Sequence, residues 1–159
     1  MVGLLKVVIV EGKRLAIRDF TSSDPYVVVK VEKTKVINSC LNPIWNEELT
    51  FTVEEPTGFL ELEVFDWDRF KSDDKMGKAS LSLQPLVSAS KLKKALKLTA
   101  GDGETNLRKV APERDNCLLV DSIITWVKGE IVQDAYLKLQ DVESGELHVK
   151  LKWTDLPTN

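Results

Sequence analysis

The residues best suited to chemistry lie in one short stretch, Phe65-Asp66-Trp67-Asp68-Arg69-Phe70-Lys71-Ser72-Asp73-Asp74-Lys75-Met76-Gly77, where four carboxylates fall within nine residues. A second acidic stretch lies upstream, Arg18-Asp19-Phe20-Thr21-Ser22-Ser23-Asp24-Pro25-Tyr26. Neither contains histidine or cysteine, so both offer oxygen donors only. That inventory suits a hard cation, above all calcium, which takes about six to eight oxygens from carboxylates and carbonyls in a flexible geometry. Magnesium demands near-octahedral geometry and keeps its water, so a loop of many carboxylates suits it less well. Aspartate is also common in turns, where it caps and tolerates left-handed backbone, and either stretch alone would read as structural. What lifts the signal is the pair, each at the edge of a strand-like run.

Two unit charges about 4 Å apart near a surface repel by roughly 4 kcal/mol at an effective dielectric near 20. Converging aspartates therefore push one another apart until a cation enters, and such a site should be loose when empty and ordered when full. Coordination that the protein leaves unfilled is open to an external anion such as a lipid phosphate, and a divalent ion reverses the local electrostatic sign. Phe20, Trp67 and Phe70, apolar side chains on acidic loops, have little reason to face water. They are candidates for contact with a bilayer interface, where tryptophan is favoured.

The elements that must position these loops are short strands. Gly3 to Glu11 reads as a buried first strand. Val27, Val29 and Val31 alternate with Tyr26, Lys30 and Glu32, the period of a half-buried strand. Lys33 to Asn38 reads as a hairpin partner and Asn42 to Asn46 as a turn around Pro43. Leu49, Phe51 and Val53 alternate inward, as do Leu60, Leu62 and Val64, and Ala79 to Leu83 is strand-like. Between Pro85 and Leu98 the period changes: Leu86, Ala89, Leu92 and Leu96 fall at helical spacing among four lysines, which predicts a short basic amphipathic helix. Segments 106–112, 121–127, 135–139 and 147–153 supply the remaining strands. About eight strands in all, with one helical insert, predict an all-β antiparallel sandwich of two sheets.

A chain of 159 residues suits one domain, taken as residues 1–159, with 85–133 forming the helix and an insertion. Its 43 % apolar and 30 % charged residues exclude a disordered tail and a membrane span. The formal net charge of -3 is too small to select a partner, and no nucleic-acid partner is expected. Cys40, Cys117 and His148 cannot assemble a zinc-finger spacing, and without a signal peptide the two cysteines are expected to be reduced. An Asp-x-Asp after a strand also occurs in phosphoaspartyl hydrolases, but those stand on parallel α/β sheets with a nucleophile and a supporting lysine. No paired nucleophile and base is present here, so the chain is not expected to be an enzyme.

Ser23-Asp24-Pro25-Tyr26-Val27, Asn42-Pro43-Ile44-Trp45-Asn46-Glu47 and Phe65-Asp66-Trp67-Asp68, followed by Asp74-Lys75-Met76-Gly77, resemble the motifs of C2 domains, the calcium-dependent phospholipid-binding modules of protein kinase C and synaptotagmin. The resemblance implies that Asp19, Asp24, Asp66, Asp68 and Asp74 are calcium ligands, joined by the backbone carbonyls of Arg18 and Trp67, with Asp73 a bystander. Segments 112–118, 129–134 and 141–146 are similar to those of one plant group, the single-domain C2-domain abscisic-acid-related (CAR) proteins. That likeness implies binding to anionic phospholipid membranes with calcium and recruitment of abscisic acid receptors to the plasma membrane. It further implies activation of an unconventional GTPase of the YchF type, and cell-membrane, cytoplasmic and nuclear locations.

The hairpin Val31 to Val36 is shorter and poorer in basic residues than the group's pattern. Lysines there serve a second, phosphoinositide-type contact in some C2 domains, so the resemblance makes Lys30 and Lys35 candidate lipid contacts, while the departure favours the plainer reading of Lys30, Lys33 and Lys35 as a solvated strand face. With no strand before the first acidic loop other than the opening one, the last strand is expected to complete the sheet, the circularly permuted, type II order. The helix and the segment Glu113 to Val132 read either as a cover over a sheet edge or as a docking surface for receptor or GTPase. A regulator acting on a GTPase by protein contact, independently of calcium, is the alternative function.

Overall fold

Apolar residues at every second position drive the chain into strands with one buried face. The computed structural model describes residues 3–18, 21–29, 32–54, 58–97 and 103–156. In β1 (Gly3–Lys13), Leu5, Val7 and Ile9 are fully buried while the residues between them are half-buried. The same alternation runs through β2 (Pro25–Val29), β5 (Phe59–Asp66), β6 (Asp74–Ser82), β8 (Ser122–Val127), β9 (Glu130–Lys138) and β10 (Glu146–Asp155). With β3 (Glu32–Lys33), β4 (Ile44–Val53) and β7 (Thr105–Val110), these form two antiparallel sheets. One has the order β4-β1-β10-β9-β8-β7 and the other β3-β2-β5-β6. The core lies between them, with Trp153, Leu60, Leu62, Met76 and Leu151 among its largest buried side chains.

The all-β sandwich is as expected, and the last strand completes the larger sheet between β1 and β9. Four details differ. Ten strands form among the described residues rather than about eight, and segment 121–127, read as a strand, lies as β8 within the larger sheet rather than as a cover over its edge, joined to β9 by a tight turn. Lys128 and Gly129 make that turn, both at positive φ, the backbone that two-residue hairpins need. Residues 34–38 do not pair as a strand; Thr34 and Ile37 instead donate to the Val27 and Pro25 carbonyls. Ile44, Trp45 and Asn46 belong to β4 rather than to a turn, with a bulge in the β1 pairing that puts Asn46 at φ 46°. Phe51 and Val53 are only partly buried because β4 is an edge strand.

The helix α1 spans Gln84–Ala95 and buries Pro85, Leu86, Ala89 and Ser90. Leu92 and Leu96, expected on the inward face, are 39 % and 53 % exposed. The Lys93 side chain takes the inward position instead, its ammonium 4.7 Å from the centre of the Trp126 ring and 3.3 Å from the Asp155 carboxylate.

Candidate functional site

Strand direction decides which loops meet. Pro25 pairs with Asp66, and Asp66 pairs with Asp74, so β2 begins, β5 ends and β6 begins at one pole of the smaller sheet. Lys13 pairs with Glu146, so the end of β1 and the start of β10 lie together in the larger sheet. Residues 14–18 and 21–24, with segments 67–73 and 139–145, therefore share a pole. Two contacts lock the sheets together there. Lys78 and Gln140 exchange backbone hydrogen bonds at 3.0 and 2.7 Å, and the Arg18 guanidinium donates to the Lys75 carbonyl at 3.2 Å and to Glu143 at 2.7 and 3.1 Å.

Asp66 and Asp74 pair across β5 and β6, and Asp24 lies immediately before Pro25, the β2 partner of Asp66. Asp66 is 1 % exposed and its Oδ1 accepts the Asp24 N–H at 2.7 Å. The Asp24 carbonyl accepts the Trp67 N–H at 2.9 Å, and Asp24 Oδ1 accepts the Ser39 N–H at 2.7 Å. Asp68 Oδ1 caps its own loop, accepting from the Phe70 and Lys71 amides at 2.8 and 3.1 Å. Asp24 and Asp68 make these bonds through Oδ1, so each can turn its second oxygen to a cation. Asp74 lies 3.9 Å from the Lys71 ammonium. Asp19, Phe20 and Lys30 lie outside the described residues, and so does Val31.

Among the described residues, no three carboxylate, imidazole or thiol groups stand together as a metal-holding cluster. The donor set nonetheless fits a hard divalent ion: half-buried or buried aspartates from two loops, positioned by main-chain amides, with no softer ligand among them. Positive charge already faces these carboxylates. The hydrogen bond from Arg18 holds the Glu143 carboxyl below the usual carboxylate range, and Glu143 in turn raises the Arg18 pKa, with Asp74 and Asp66 adding smaller attractions.

Two residues that are not candidate ligands position the acidic loops. Asp73 is not a bystander to the loop geometry: its Oδ1 accepts the Asp68 N–H at 2.8 Å and its Oδ2 accepts the Tyr26 hydroxyl. Ser23, fully buried, donates to the Ala16 carbonyl at 2.8 Å and accepts the Arg18 N–H at 2.9 Å, which folds the first loop back on itself. The only clue to Ser23 in sequence is its place before Asp24-Pro25.

Burial, with the bond to Asp73 second, pushes the Tyr26 pKa up to about 12. The phenol is therefore held neutral more strongly in the folded protein than in the unfolded chain, where it titrates near 10.0. Its contribution is complete below pH 10 and is lost as pH rises toward about 12. The thermal midpoint of the wild type is expected to fall relative to Tyr26→Phe across that window. Parallel curves for the two proteins would contradict the coupling.

Apolar side chains project beyond the acidic pole. Phe70 is 90 % exposed and Trp67 42 % exposed, with the Arg69 guanidinium 5.6 Å from the Phe70 ring. Lys35 is exposed and its backbone is held on both sides: its N–H donates to Glu47 at 2.8 Å and its carbonyl accepts the Trp45 indole at 2.9 Å. No helix among the described residues is long and apolar enough to cross a membrane. Cys40 and Cys117 are free thiols.

The sequence model of the C2 domain matches residues 3–98. Over 159 residues the chain is 56 % identical to Protein C2-DOMAIN ABA-RELATED 11 of Arabidopsis thaliana, an alignment covering 98 % of this chain and 95 % of that protein. It is 45 % identical to GTPase activating protein 1 of Oryza sativa, over 99 % of this chain and 94 % of that protein. Among solved structures, a C2 domain of plant Extended Synaptotagmin 1 superposes with a TM-score of 0.62 at 24 % identity, covering 98 % of this chain and 97 % of that one. The calcium-bound pair of C2 domains of Extended-Synaptotagmin 2 superposes with a TM-score of 0.58 at 25 % identity, covering 95 % of this chain and 45 % of that one. C2 domains commonly bind calcium and associate with membranes peripherally, and proteins of the C2-domain ABA-related group are generally adaptors. The chain belongs to the C2-domain family, within the plant C2-domain ABA-related proteins.

Proposed function

We propose that this protein is a calcium-dependent, phospholipid-binding adaptor that rests its acidic pole on the cytoplasmic face of the plasma membrane. The observation that supports this most directly is the convergence of Asp24, Asp66 and Asp74 at the ends of three neighbouring strands, Asp66 paired with Asp74 and bonded to the Asp24 amide, with Trp67 and Phe70 exposed in the adjoining loop. Asp19, Asp24, Asp66, Asp68 and Asp74, with the Arg18 and Trp67 carbonyls, would hold the ion. A bound calcium ion would supply the positive charge that attracts lipid phosphates to this pole. The residues of the chain do the rest. Asp66 fixes the backbone of Asp24, Asp73 fixes that of Asp68, and Arg18 with Glu143 ties the first loop to the larger sheet. Trp67 and Phe70 enter the interface, joined by Phe20, with Lys30 and Lys35 as flanking contacts.

The names of the Arabidopsis relatives support abscisic acid signalling as the setting, so the cargo would be abscisic acid receptors. The rice relative's name supports a second reading, stimulation of a GTPase, of the YchF type, through protein contacts that do not need calcium. On this proposal the protein cycles between cytoplasm, nucleus and cell membrane. Calorimetric titration with calcium should give binding that tightens when phosphatidylserine vesicles are present, since ion and lipid share the site. Binding unaffected by vesicles, or none, would overturn the membrane reading. GTPase stimulation surviving the loss of the calcium ligands would favour the second.

A further inference from the structure

The helix α1 carries a surface that the calcium pole does not explain. Its exposed Leu92 and Leu96 are one turn apart, and Lys91, Lys94 and Lys97 surround them. The helix contains no acidic residue. The nearby carboxylate of Asp155 is already shared by Lys93 at 3.3 Å, Lys94 at 3.8 Å and the Trp153 indole at 2.8 Å. Among the described residues, Lys91 and Lys97 make no ion pair. The patch is therefore both apolar and positively charged. It also lies at the other pole of the sandwich: α1 follows Ser82, which pairs with Phe59 at the start of β5, whereas Asp66 ends β5 among the acidic loops. Asp155, the helix's ionic anchor, pairs with Gly3 at the end of the larger sheet remote from Lys13 and Glu146.

We infer that this end of α1 is a second membrane contact, independent of calcium, which takes anionic phospholipid. Lysines ringing exposed leucines match the charge and depth of a lipid interface, where ammonium groups stay with headgroups and alkyl side chains sink below them. The 550 Å³ groove on the smaller sheet is lined by residues of β2, β5 and β6 with Cys117 and Gln140, and no residue of α1 lines it. With one contact at each pole, the protein bridges two bilayers. The bridging rests on the calcium-dependent reading above, while the helix contact stands without it.

The test uses the full chain, phosphatidylserine–phosphatidylcholine vesicles and low salt, with calcium chelated so that only the helix acts. The wild type should sediment with these vesicles and not with pure phosphatidylcholine. Lys91→Glu/Lys97→Glu should weaken this binding on the order of tenfold or more, given the contribution of each lysine near an anionic surface. Leu92→Ser/Leu96→Ser should weaken it severalfold, and Asp24→Asn/Asp68→Asn should leave it intact. Adding calcium should then make the wild type, but neither single-pole variant, cluster vesicles in light scattering. Failure to bind in chelator overturns the helix contact and points to an acidic protein as its occupant, while binding indifferent to the charge reversal overturns it by placing the lipid contact elsewhere on the chain. Loss of only the calcium-dependent phase overturns the acidic-pole reading and leaves the helix contact standing.

Discussion

Asp24→Asn/Asp68→Asn is expected to abolish calcium-dependent sedimentation with phosphatidylserine vesicles, through a loss of calcium affinity on the order of a hundredfold or more. The substitution is chosen from the geometry. Asp24 Oδ1 accepts the Ser39 amide and Asp68 Oδ1 accepts the Phe70 and Lys71 amides. Asparagine keeps each of those acceptors, whereas alanine at Asp24 would also release the loop and confuse a lost ligand with a lost turn. The charge-assisted part of these bonds weakens, but so does the repulsion among clustered carboxylates, and the two changes oppose each other. The thermal midpoint in chelator should therefore move little or rise slightly. Undiminished sedimentation of a folded double variant would remove the acidic pole from the membrane contact.

Gly77→Ala is the second large effect, and it acts on the fold first. Gly77 lies in β6 at φ +105°, a backbone that an L side chain adopts only with strain. A Cβ there would sit 2.6 Å from Val142 Cγ1 and 3.0 Å from Leu139 Cβ, against the segment that Lys78 and Gln140 pin to β6. Strain and overpacking together should cost about 3 kcal/mol, a fall in midpoint of roughly 10 °C for a chain of this size. Gly58→Ala is the control. Gly58 also has positive φ, +79°, but nothing lies within 4 Å of its added Cβ, so only the backbone strain remains, about 1 kcal/mol. If the two variants lost equal stability, the close approach of residues 139–142 would not be what makes glycine necessary. Because Glu143, in the same segment, holds Arg18 against the acidic loops, Gly77→Ala should also loosen the site. Its calcium-dependent binding should weaken even at temperatures where it remains folded.

The alternation of apolar residues by itself determined most of the sandwich. Val27 with Val29, and Leu60, Leu62 and Val64, are buried where a period of two puts them, because side chains on a strand leave it on opposite faces. The acidic loop before β6 was likewise legible, since clustered aspartate is a local signal, whereas proline at Pro43 suggested a turn where β4 begins at Ile44. The helix shows where local signals end. A period of 3.6 identifies a helix but cannot say which stripe of it meets the sheet, and contact with Trp126 and Asp155 turned Lys93 inward and Leu92 outward.

The acidic pole divides in the same way. Residue types alone marked Asp24, Asp66, Asp68 and Asp74 as oxygen donors, because carboxylate chemistry is a property of the residue. That Asp66 meets Asp24 depends on strand register, 42 positions apart in the chain, and that Arg18 meets Glu143 depends on a separation of 125. The first, like the bond between Asp73 and Tyr26, exists only once β2 and β5 pair, and the second only once two sheets have closed over one core, since nothing within a few residues of either partner encodes the other.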